Sequence, residues 1–84
     1  MPEQNGATFT FFVNNNEAQT KKHELTGSEI KQLGNVPGDY ELFEVVGDHT
    51  VPIGNQQPVH IHNQMHFRAI PAGTFGLTWH FLPN

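Results

Sequence analysis

The sequence predicts an α+β fold in which a mixed sheet packs on one short helix. Three observations carry that reading. An aromatic, β-branched run near the N-terminus leads into an asparagine turn and a second segment able to return as a strand. A helix-start signal stands at Thr26, followed by about two turns of helical spacing. Short apolar segments punctuated by Gly, Asp and Pro fill the remainder. A hairpin, one helix and further strands, with no internal repeat, place the helix against one face of the sheet.

Residues 8–13 read as the first strand, with Phe9, Phe11 and Val13 on its buried side. Asn14, Asn15 and Asn16 turn the chain, because asparagine tolerates left-handed backbone. Residues 18–25 return as a polar second strand with Lys21 and Lys22 adjacent, solvated on one face or lying at an edge. Thr26 and Glu29 form a capping-box pair, each side chain able to satisfy an orphan donor of the first turn. Ile30 and Leu33, three apart, are expected to share the inner face, with Gly34 as a left-handed stop and Pro37 preventing resumption. Residues 40–46 are nearly all apolar and predict a central strand buried on both faces. Gly47 and Asp48 turn, and residues 51–53 form a strand confined to an edge by Pro52. After a loop at 54–58, residues 59–62 are short and extended. Residues 65–70 form a last core strand with Met65, Phe67 and Ala69 on one side and His66, Arg68 and Ile70 on the other.

The chain has 84 residues and a net charge of −4. That is enough for one domain, and the reading divides it into a disordered lead at 1–7, a folded body at 8–72, and a tail or additional strand at 73–84. With no cysteine, disulfides, thiolate metal sites and cysteine nucleophiles are all excluded. Four basic residues in no long run leave no phosphate-binding footprint, so nucleic acid is not an expected partner. No apolar run approaches the roughly 20 residues of a membrane helix. The first residues are polar and acidic, unlike a secretory leader. The expectation is a cytoplasmic protein without a membrane partner. No esterase elbow, phosphate loop or metalloprotease motif is present, so catalysis is not expected, and no cofactor is implied. Asp48, His49 and Thr50 are neighbours on a turn, and sequence adjacency does not make a catalytic triad.

Several pieces in order resemble the bacterial multiubiquitin-type domain: Leu25-Thr26-Gly27-Ser28-Glu29-Ile30, Gly34, Pro37-Gly38-Asp39-Tyr40-Glu41-Leu42, and Phe67-Arg68-Ala69-Ile70-Pro71. The resemblance covers about residues 8–76. It implies a ubiquitin-like β-grasp fold. It also implies conjugation to target proteins through a C-terminal glycine, in some cases within antiphage defence. The implied partners are an activating enzyme, a conjugating enzyme and a JAB-type deconjugating protease. The exposed side of the last strand, His66, Arg68 and Ile70, is by the same analogy a partner-recognition patch; its plainer reading is a solvated face. This chain carries one copy where the family name describes tandem copies.

The tail has two readings. A conjugated tail must be narrow enough to thread into an active site, and residues 71–76 have that character, with Gly73, Thr74 and Phe75 as the threading segment. Gly76 is then the conjugated residue and the bond before Leu77 the cleaved one, with residues 77–84 removed. Phe75 departs from the small or charged residues of the eukaryotic tail. Alternatively, Phe75, Leu77, Trp79 and Phe81 alternate strictly with Thr74, Gly76, Thr78 and His80, so residues 74–82 form a structural strand of a non-covalent binding module, joined to the last strand by a hairpin at 71–73.

Six histidines stand out for this length. His60 and His62 share one face of an extended segment and are weak candidates for zinc or copper, since a His-x-His pair supplies two imidazoles. A solvated face is the default reading. Lys21, Lys22 and Lys31 read as solvated charges that could also accept a further modifier.

Overall fold

The structure, a computed structural model, describes residues 8–72. The strands are β1 (Phe9–Val13), β2 (Asn16–Thr20), β3 (Glu24–Thr26), β4 (Tyr40–Val46), β5 (His49–Ile53), β6 (Pro58–His60) and β7 (Met65–Pro71), with helix α1 (Gly27–Leu33) between β3 and β4. Five strands form one sheet in the order β2-β1-β7-β4-β5, and β3 pairs with β6 separately. β1 and β7 are parallel and the other pairs antiparallel, so the sheet is mixed. With one short helix on one face, the architecture is α+β of the ubiquitin-like β-grasp kind. Among the described residues, no helix is long and apolar enough to cross a membrane.

Period-two alternation builds the core. Phe11, Val13, Leu42, Phe67 and Ala69 point inward from β1, β4 and β7. Leu25, Ile30, Val59 and Ile61 close over them. Phe11 meets Phe67 edge to face at 5.8 Å, the arrangement that aromatic quadrupoles favour.

The capping box forms as the spacing requires. Thr26 Oγ1 accepts from the Glu29 amide at 3.3 Å, and Glu29 Oε1 accepts from the Thr26 amide at 2.9 Å. These bonds, with Lys22 Nζ at 3.3 Å, hold the Glu29 carboxyl below its ordinary value.

Four local expectations are corrected. The segment 18–25 is two strands: β2 ends at Thr20, whose hydroxyl accepts the Lys22 amide and bends the chain, and β3 then pairs with β6. On α1, Ile30 is fully buried but Leu33 is 43% exposed; Lys31, 2% exposed, takes the inner face beside Ile30. Its Nζ donates to the carbonyls of Gly38 and Tyr40, each at 2.7 Å, so a residue read as solvated ties the helix to the start of β4. Gly34 is not left-handed (φ −83°); Asn35 is (φ 63°). Gly34 is required instead by close packing, because a Cβ there would lie 2.5 Å from Val13 Cγ2. Finally, β4 is covered on one face. Leu42 is buried, while Phe43 and Val45 on the opposite side are half-exposed. β7, not β4, is the middle strand of the sheet.

Candidate functional site

On one side of the sheet apolar and cationic groups meet with no covering layer among the described residues. β7 sends His66, Arg68 and Ile70 to that side, as its alternation dictates. Register brings their neighbours. Phe12 of β1 lies opposite His66, Phe43 of β4 opposite Arg68, and Glu41 opposite Ile70. Val45 and Thr50 are paired one step further along the β4–β5 hairpin. Phe12 and His66 stack with ring centres 5.0 Å apart and planes 14° from parallel.

Two hollows open beside Arg68. One, of about 450 Å³, is bordered by Asn14, Asn15, Val45, His66, Arg68 and Ile70. The other, of about 290 Å³, is bordered by Phe43, Thr50, Arg68 and Ile70 and is the more apolar. Arg68 is exposed and, among the described residues, forms no ion pair. A planar guanidinium with five donors between an amide-lined hollow and an apolar one suits a partner offering a carboxylate or carbonyl beside an aliphatic side chain. Phe12, Phe43, Val45 and Asn15 were not legible as members of this patch. Phe12 follows Phe11 directly, and Phe43 and Val45 sit within an apolar run, so local pattern does not say which side is open.

Asn14 does something different. Its Oδ1 accepts from the Ala69 amide at 3.0 Å and its Nδ2 donates to the Ala69 carbonyl at 3.2 Å, while its own amide donates to Phe67 O at 2.8 Å. The side chain thus continues the β1–β7 ladder past Val13. β7 is flanked by β1 and Asn14 on one side through Ala69, and by β4 on the other through Pro71. Among the described residues, both sides of β7 are thus occupied; the structural-strand reading of residues 74–82 lies outside the described residues.

The remaining candidates separate. His60 and His62 are exposed with rings 5.0 Å apart and tilted by 60°. His66 is engaged with Phe12. Among the described residues, no group of three or more His, Asp or Glu side chains is gathered closely enough to hold a metal ion. Asp48 and His49 touch at 3.3 Å on the exposed β4–β5 turn. Lys21 and Lys22 are exposed, whereas Lys31 is buried and is withdrawn as an acceptor of further modifiers. The lead at 1–7 and the residues named for threading and cleavage (Gly73, Thr74, Phe75, Gly76 and Leu77) lie outside the described residues.

A family model described as Multiubiquitin matches residues 9–71. No curated protein and no solved structure gives a match.

Proposed function

The chain belongs to the multiubiquitin family, and from that premise we propose that it is a ubiquitin-like protein modifier, processed after Gly76 and joined to target proteins through that glycine. One observation carries the reading: the family match spans the folded body and stops at Pro71, immediately before the glycine-bearing segment. A glycine at the conjugated position leaves its carbonyl open to attack, where any side chain would crowd an adenylating or protease site. The partners are an activating enzyme, a conjugating enzyme and a JAB-type deconjugating protease of a cytoplasmic bacterial pathway. The side chains of His66, Arg68 and Ile70, with Phe43 and Val45, give those enzymes a surface to grip away from the tail. The chain is a handle in this reading and performs no catalysis.

The test is co-expression with the activating enzyme, conjugating enzyme and protease encoded beside it, followed by intact mass. The expected result is loss of residues 77–84 and the appearance of larger adducts, both abolished by Gly76→Trp. If the mass stays that of the full chain and no adduct forms, the reading fails.

A second reading is favoured by the apolar hollow beside Arg68: a non-covalent binding module that uses the same open side. Partner binding that survives Gly76→Trp but is lost in Ile70→Asp would select it over conjugation.

A further inference from the structure

The two edges of the five-stranded sheet are built differently. Two-residue turns close both outer hairpins, so Val13 with Asn16 and Val46 with His49 are hydrogen-bonded pairs, and every second pair along each ladder is too. On β5 the intervening positions are Thr50 and Pro52, whose backbone faces the free edge, and Pro52 has no N–H to offer there. On β2 they are Glu17 and Gln19, which direct both N–H and C=O outward. The bonds of Thr10, opposite Gln19, agree with this parity. Its amide donates to Asn63 Oδ1 at 2.8 Å and its carbonyl accepts from Gln64, both away from β2. Among the described residues, one edge is blunted and the other is open.

Beside the open edge, a hollow of about 230 Å³ lies between β2 and α1. It is bordered by Thr20, Lys22, Leu25, Glu29, Gln32 and Leu33. Leu33 is an exposed aliphatic side chain on a short helix, and this hollow is where it points its apolar surface.

We propose that the β2 edge and this hollow receive residues 74–81 of the same chain as an added strand. Edge addition requires main-chain partners together with alternate side chains that enter a hollow. Phe75, Leu77, Trp79 and Phe81, alternating with Thr74, Gly76, Thr78 and His80, have that period. Reach agrees. β7 is parallel to β1 and ends near the β1–β2 turn, the end of the sheet at which β2 begins. A strand beyond β2 stands three strand spacings from β7, about 14 Å. The six residues from Pro71 to Leu77 span up to about 20 Å. Running parallel to β2 from that end, the segment brings Trp79 and Phe81 beside Thr20, Leu25 and Leu33. β7 has no free edge for it, and β5 lacks a donor at Pro52. The inference does not depend on conjugation; where Gly76 is a cleavage point, release of residues 77–84 reopens the edge.

The test uses the full chain and its single tryptophan, Trp79. Amide exchange and Trp79 emission are compared for the intact chain, for Leu33→Glu, for Gln19→Pro, and for Val51→Glu on the opposite edge. Leu33 is exposed and Gln19 points its amide outward, so neither substitution disturbs the core. In the intact chain, the Glu17 and Gln19 amides are expected to exchange on the order of tenfold or more slowly than that of Lys21. Trp79 emission lies to the blue of the unfolded chain. Leu33→Glu removes both signals, Gln19→Pro moves the emission to the red, and Val51→Glu changes neither. Exchange of Glu17 and Gln19 at the rate of exposed amides in the intact chain overturns the proposal, as do signals indifferent to Leu33→Glu. Signals that vanish on dilution also overturn it, since the occupant is then another copy's segment. Adducts are not read here, so failure of the strand leaves the conjugation reading standing, and loss of conjugation leaves the strand.

Discussion

The two faces of the sheet differ most sharply on one strand. Along β7, Phe67 and Ala69 are buried under α1 and the β3–β6 pair, while His66 and Arg68, one residue away, stand in the open. Both sides carry aromatic and aliphatic groups, so composition does not distinguish them. The covering layer does. On the inner side the buried side chains form one cluster, and a deletion leaves a cavity. On the outer side Phe43, Val45 and Ile70 are only half-buried, and a deletion leaves little behind. A strand with a period of two thus separates stability from recognition at single-residue resolution.

The separation breaks first on the inner side. Phe67→Ala removes a fully enclosed ring and is expected to cost about 3–5 kcal/mol of unfolding free energy, read by urea denaturation. Gly34→Ala forces Val13 to move and is expected to cost about 1–3 kcal/mol by overpacking; a glycine kept for backbone freedom alone would show far less, given its φ of −83°. Lys31→Met keeps the aliphatic stem but removes the donor that the part-buried carbonyls of Gly38 and Tyr40 share, at about 1–3 kcal/mol; a solvated lysine would register almost nothing. Outer-face changes come next. Arg68→Ala and Ile70→Asp are expected to stay within about 0.5 kcal/mol of the parent while abolishing partner binding in a pull-down with the enzymes of the pathway.

The smallest effect is the pH dependence of the helix cap. The bonds from Thr26 and Lys22 lower the Glu29 pKa in the folded chain. A group depressed on folding contributes stability above its unfolded value and loses it as pH falls through the folded one. Glu29→Gln should therefore flatten the acid arm of the stability curve below the ordinary carboxylate range and leave the neutral region changed only by the loss of the charged cap.

Much of this was legible locally. The capping box needs only Thr26 and Glu29 at the right spacing, and it formed. The inward side of β7 and the edge position of Pro52 follow from alternation and from a missing donor. The errors share one cause. Lys31 looks solvated from the sequence because its acceptors are main-chain carbonyls at Gly38 and Tyr40, which no side-chain pattern marks. Gly34 suggests a left-handed stop because glycine commonly is one, but the left-handed turn falls to Asn35 and the glycine to a contact with Val13, 21 positions earlier in the chain. The apolar run at 40–46 suggests two-sided burial because a run cannot say whether its second face is covered.

The sequence by itself determined the element types, the short helix with its cap, the core side of β1 and β7, and a glycine-bearing segment following β7. Local chemistry sufficed there, because capping, turn formation and alternation act over a few residues. Only the tertiary structure decided that β1 and β7 lie side by side, that Asn14 continues the ladder between them, and that, among the described residues, one edge of the sheet is blunted while the other is open. Those are properties of strand order and hydrogen-bond parity. They depend on which distant segment arrives alongside, so they are set when the chain closes on itself and leave no mark in any short stretch of sequence.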